Sequence, residues 1–146
     1  MSRFSYDDDE GAIPYGLYCQ IVRRAISGKP GQKALRELEA ALLALPEKRL
    51  IESEVCDDGE VCALGALAIY RRVQAGDDRA EALVDLQEDW GYASEAATVE
   101  LGEALGLRQT LATEIVWIND EELAGLSPDR RYTLMLEWVQ RNLVPA

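Results

Sequence analysis

Histidine does not occur anywhere in these 146 residues. Its absence removes Ser-His and Cys-His nucleophiles, the side chain that ordinarily titrates near neutrality, and the commonest zinc ligand. Any catalysis would rest on carboxylates, tyrosine, lysine, arginine or an unassisted thiol. Cysteine is scarce: Cys19, Cys56 and Cys62 make an odd set with no secretory pattern before them. That points to reduced thiols in a cytoplasm rather than a disulfide framework. The Cys56-x5-Cys62 spacing has no second ligand pair, so structural zinc is not expected. Long apolar runs are missing as well. The longest uncharged stretch, Gly11 to Val22, falls far short of the roughly 20 residues that cross a bilayer. Neither G-x-x-x-x-G-K-[ST] nor G-x-G-x-x-G occurs, so no phosphate loop is present. Positive charge is the last shortage. Fifteen Lys and Arg stand against 27 Asp and Glu, a net charge of -12. That balance disfavours nucleic acid and anionic membrane, and favours basic partners. The pairs Arg23-Arg24, Arg71-Arg72 and Arg130-Arg131 are too short to make a basic patch.

What is present reads as a globular protein. Hydrophobic residues make up 48% and charged residues 29%, with no low-complexity run and no solenoid-type repeat. The length fits one domain, which would bury about two-thirds of its unfolded surface. Residues 1–10, MSRFSYDDDE, lack the apolar core of a signal peptide and are expected to form an acidic, mobile arm. Residues 11–146 are expected to form a single all-α, or nearly all-α, domain of six or seven helices. Its organising stretch is Asp57 to Arg72. After the turn signal Asp57-Asp58-Gly59, no charge appears from Val61 through Tyr70, and four of those ten residues are Gly or Ala. The pattern predicts a short β-hairpin feeding a buried central helix from Cys62 to Ala75, closed by Gly76.

Around it the helical periods are clear. A first helix ends at about Ser27, with Leu17, Tyr18, Ile21, Val22, Ala25 and Ile26 inward, Gly28 as C-cap and a break at Lys29-Pro30-Gly31. Leu35, Leu38, Leu42 and Leu45 mark a second, from Gln32 to Leu45, stopped by Pro46. In the hairpin a three-residue loop, Asp57-Asp58-Gly59, would set Cys56 opposite Glu60. Asp77 or Asp78 caps a helix from Arg79 whose inner face is Leu83, Val84 and Leu86 or Gln87. Trp90-Gly91-Tyr92 breaks the chain, Ser94 opens the next helix and Gly106 ends it. A further helix, Leu107 to Asn119, turns Leu111, Ile115 and Ile118 inward and runs into a polar loop. Ser127-Pro128 starts the last helix, with Tyr132, Met135, Leu136, Val139 and Leu143 inward.

Four features are candidates for interaction. Asn119, Asp120, Glu121 and Glu122 could orient a ligand beside Trp117, since paired carboxylates split their pKa values, or could be an exposed loop with Asn119 as a cap. Asp57, Asp58 and Glu60 surround a tight turn and could offer oxygens to a cation, or be solvated. Asp7, Asp8, Asp9 and Glu10 could act as a docking arm; they lack EF-hand spacing. Trp90, Tyr92, Trp117 and Trp138 are interface anchors or core. No catalytic residue, metal ligand or cofactor is assigned.

Three boxes carry a resemblance: Gly59-Glu60-Val61-Cys62-Ala63-Leu64-Gly65-Ala66-Leu67, then Glu114-Ile115-Val116-Trp117-Ile118-Asn119-Asp120-Glu121, then Ser127-Pro128-Asp129-Arg130-Arg131 leading to Trp138-Val139. The chain resembles, over about residues 32–143, small acidic proteins encoded by bacterial phages and prophages. The resemblance implies a mobile-element origin and a bacterial cytoplasm; it carries over no reaction and no functional residue. Charge and the missing histidine add the functional expectation. It is a non-catalytic acidic protein that binds and inhibits a basic or nucleic-acid-handling host target, such as a CRISPR-type defence complex, without touching nucleic acid or membrane itself. The alternatives are a phage assembly homo-oligomer and a small metal-dependent enzyme using Asp120 and Glu121.

Overall fold

A computed structural model describes residues 15–91 and 93–145. Seven α-helices lie among them: α1 (Tyr15–Ser27), α2 (Lys29–Ala44), α3 (Ala63–Gln74), α4 (Arg79–Trp90), α5 (Glu95–Ala104), α6 (Gln109–Trp117) and α7 (Pro128–Asn142). One hairpin of two-residue strands, β1 (Cys56–Asp57) and β2 (Glu60–Val61), precedes α3. A π-helical segment, Ile118–Glu122, continues α6. The class, the helix number and the single hairpin are those the sequence predicts. No helix among the described residues is long and apolar enough to cross a membrane.

The packing sorts six helices into three layers. In the middle α3 lies against α6; on one side α2 covers α3 and α1 covers α6, while on the other α4 covers α3 and α5 covers α6. Helix α7 packs along α2 and against the π-helical segment. The uncharged stretch takes the middle because it has nothing to keep in water: every residue from Ala63 to Ile69 is buried. Burying one such Leu or Ile side chain contributes about 1.5–3 kcal/mol. Small residues set the approach distances. A Cβ on Gly65 would lie 2.4 Å from the Val55 carbonyl oxygen, so α3 rests directly on the chain entering the hairpin. The leucine stripe of α2 is fully inward, and Tyr132 of α7 donates to the Leu42 carbonyl at 2.9 Å.

Five local expectations are corrected. Gly28 does close α1, its N–H donating to the Arg24 carbonyl at 3.1 Å, but no break follows; with φ -68 and ψ 164 it is also the N-cap of α2, which begins at once with Pro30 in its first turn. Proline is tolerated there because its missing N–H has no helical acceptor. The two helices then meet so closely that a Cβ on Gly31 would sit 1.8 Å from the Ala25 carbonyl oxygen.

The hairpin turn has two residues, not three. Asp58 (φ 50) and Gly59 (φ 81) both take the left-handed conformation, so Cys56 faces Val61 and Asp57 faces Glu60. This primed turn follows the natural strand twist. It also sets two buried residues on one face and two polar ones on the other, which a slip of one residue would undo.

On α4 the inner positions are Ala82 and Leu86, while Leu83 is half-buried and Val84 is 55% exposed. On α1 only Tyr18 and Val22 are fully buried and Leu17 is 47% exposed, because an outer-layer helix presents one narrow stripe to its neighbours. Finally, Asn119 to Glu122 are not a loop but the π-helical segment, with Asn119 buried.

Candidate functional site

The described polar residues form two contrasting groups. The first is a knot around α7. Ser127 caps this helix by accepting from the Arg130 N–H at 3.2 Å, with Pro128 at its first position. That start turns Arg131 inward, where it is 1% exposed. Its Nε donates to the Asn119 carbonyl, Nη1 to the Leu50 carbonyl, and Nη2 to the Leu123 and Leu126 carbonyls, all at 3.1 Å. The Glu52 carboxylate lies 3.1 Å from Nη2 as counter-ion. The planar fork of arginine suits such a fan of acceptors, which a lysine ammonium cannot span.

Asn119 completes the knot. Its Oδ1 accepts from the Ala63 N–H, the first of α3, at 3.2 Å, and its Nδ2 donates to the Ile51 carbonyl at 2.9 Å and to Asp120 Oδ1 at 2.7 Å. Asp120 also accepts from the Ser53 N–H at 3.0 Å, holding Ser53 in a left-handed conformation. Burial pushes the Asp120 carboxyl above its usual range; the Ser53 and Asn119 hydrogen bonds and Arg131 pull it down, and Glu95 adds to the rise. Glu121 is raised as well, through desolvation first and the Glu95 carboxylate next, although its side chain is exposed.

The polar segment predicted from sequence thus divides. Asn119 and Asp120 tie the entry of the hairpin to the start of α3, while Glu121 and Glu122 face outward. At the hairpin, Asp57 and Asp58 are exposed, and Glu60 is half-buried against Arg49 at 3.0 Å, which also lies 3.6 Å from Asp129. Among the described residues no group of three or more potential ligands is arranged to hold a metal ion. Asp7, Asp8, Asp9, Glu10 and Tyr92 lie outside the described residues. Trp138 belongs to the core, and Trp90 and Trp117 are half-buried at the edge of that core. Burial raises the Cys62 thiol to about 12 and lifts Cys56 too, so neither is a nucleophile near neutral pH. Cys62 instead caps α3, its sulfur accepting from the Gly65 N–H at 3.4 Å.

The second group was missed from sequence. Between Asp77 and Ala104, from the entry of α4 to the end of α5, stand nine carboxylates, seven of them within the two helices, and one cation, Arg79. The opposite layer, α1 and α2, holds five cations against Glu37 and Glu39. A running charge count would have found this; the overall charge hides it. Most of the α4–α5 carboxylates are exposed, and Glu81, Glu88, Asp89, Glu100 and Glu103 form no ion pair among the described residues. Within this acidic layer lies an apolar groove of about 280 Å3 between α3, α4 and α5. Its buried lining is Ala68, Ile69, Ala82, Leu86 and Leu101; Ala75, Asp85 and Asp89 are exposed members of its wall.

Comparison with protein-family models, with curated proteins and with solved structures finds no match to this chain.

Proposed function

We propose that this chain is a non-catalytic interaction domain whose α4–α5 layer binds a basic surface on a partner protein. The observation that carries the reading is the separation of charge: seven carboxylates on α4 and α5 and two more at the entry of α4, with a single arginine among them. Such a face raises the encounter rate with a cationic surface and excludes anionic competitors. A protein channel built to hold nucleic acid is cationic along its length, and a carboxylate layer can occupy it in place of phosphates. With the resemblance to phage-encoded acidic proteins, this favours a nucleic-acid-handling or defence complex in the cytoplasm of a bacterial host, inhibited by occupancy.

The test is capture from bacterial lysate at low and high salt, using the native chain and a Glu88→Lys, Asp89→Lys, Glu100→Lys variant. Capture of a nucleic-acid-handling protein at low salt, lost in the variant and displaced by DNA, is expected. Equal capture by the variant, or no salt-sensitive partner at all, overturns the reading.

A second reading, the assembly homo-oligomer, draws on the same separation. A cationic α1–α2 layer opposite an acidic α4–α5 layer permits head-to-tail stacking of copies. Its mass in solution at low salt decides, a monomer removing it. The carboxylate enzyme draws no support from this geometry, since Asp120 already accepts two hydrogen bonds within the fold.

A further inference from the structure

We propose that the groove between α3, α4 and α5 docks one amphipathic helix of the partner, apolar residues inward and Lys or Arg outward. The inference rests on the acidic-layer reading above and names the element recognised. Its first support is placement: the apolar floor of Ile69, Leu86 and Leu101 lies among the helices that carry the carboxylates of α4 and α5. An apolar groove flanked by like charges suits a segment that carries both apolar and opposite-charged residues.

Next comes the charge left over. Arg71 and Arg72 also line the groove, but both are engaged within the chain. Arg71 pairs with Glu37 at 2.5 Å and donates to the Leu105 carbonyl, and Arg72 pairs with Asp77 and Asp85. Asp89 in the wall, with Glu88 beside it, has no cation of its own among the described residues. An incoming Lys or Arg supplies it.

Shape gives the third argument. The groove runs between helices, so a helix ridge fits it. Strand addition does not suit this groove, because the one sheet among the described residues has two-residue strands and lies outside the lining. A volume of about 280 Å3 lies at the small end of ligand sites and suits a few side-chain anchors. A nucleic acid is disfavoured by the same carboxylates.

The probe is a labelled synthetic peptide of about 18 residues, leucine at i, i+3, i+4 and i+7 and lysine elsewhere. The same residues in scrambled order, and oligolysine of equal charge, are the controls. The helical-period peptide is expected to bind the full chain at least about tenfold more tightly than either control. Asp89→Lys, and Ala75→Trp at an exposed wall position, should each weaken it about tenfold with unchanged thermal melts. Equal binding of helical and scrambled peptides, both abolished by Asp89→Lys, would sink the groove while leaving the acidic layer standing. Binding of no cationic peptide would sink both. A groove already filled by a second copy, seen as concentration-dependent dimer that Ala75→Trp dissociates, also overturns it.

Discussion

Around Arg131 the chain buries one cation and gives it five acceptors; across α4 and α5 it exposes a row of carboxylates and pairs few of them. Both regions are strongly polar, yet they answer to different constraints. In the knot, Arg131 and Asn119 are shielded from water, so each of their donors must find its acceptor within the chain or cost roughly 1–3 kcal/mol. At the acidic layer water supplies the hydrogen bonds, and what the fold leaves unpaired remains free for another molecule. Polar groups used up inside the fold are architecture. Polar groups left over are the candidates for function.

The sharpest way to test that distinction is to remove the centre of the knot. Arg131→Met should lower unfolding free energy by about 3–5 kcal/mol, because four carbonyls and Glu52 lose one shared donor group. Its exposed neighbour offers the control: Arg130→Met should stay within about 0.5 kcal/mol. Urea midpoints of the two variants measure both. Equal midpoints would mean that the knot does not hold the fold.

Asn119→Leu comes next in size. The side chain keeps its volume, but the Ala63 N–H and the Ile51 carbonyl lose their partner in a buried place. A loss of about 2–3 kcal/mol is expected in urea unfolding. Because Asn119 links the hairpin entry to α3, amide exchange at Ala63 and Ile51 should accelerate more than exchange in α4.

Asp120 gives a smaller effect with a definite sign. Its carboxyl titrates higher in the fold than in the unfolded chain, chiefly from burial. The folded state therefore holds the proton to higher pH. Stability falls as pH rises from the unfolded carboxylate value, about 3.9, through the raised folded one. The charges bearing on it are Glu95, which adds to the fall, and Arg131, which opposes it. Asp120→Asn keeps an oxygen for the Ser53 N–H and should flatten that part of the profile. A variant whose stability falls with pH as steeply as the native chain would show that Asp120 is not its source.

Much of the architecture is legible in the residues themselves. Asp78, Ser94 and Ser127 are local cap signals, and each accepts a helix N–H as expected. The α2 leucines and the uncharged α3 announce their burial by spacing and composition. Arg131 does not, because its acceptors come from residues 50, 52, 119, 123 and 126, and only the fold brings these together. One hint existed: Arg131, Met135 and Trp138 stand at i, i+4 and i+7, which extends the buried stripe of α7 through the arginine. The hairpin register turned on one residue at Asp57, where two turn types compete for the same Asp-Asp-Gly. The acidic layer was legible as a local count but was masked by a net charge taken over the whole chain.

The mildest perturbation separates the two regions most cleanly. Sodium chloride at about 0.15 M shortens the reach of exposed charges to about 8 Å, while buried pairs are screened far less. Repulsion among the α4–α5 carboxylates should therefore relax as salt is added, raising native stability by roughly 0.5 kcal/mol between low and moderate salt. Reversing Glu88, Asp89 and Glu100, which form no ion pair among the described residues, to lysine removes the repulsion beforehand, so that variant should start higher and respond less. Arg131→Met should keep the native salt response at a lower stability, since the arginine it removes is buried away from the ions. If the knot variant lost the salt response and the acidic-layer variant kept it, the assignment of structure to one region and free charge to the other would be reversed.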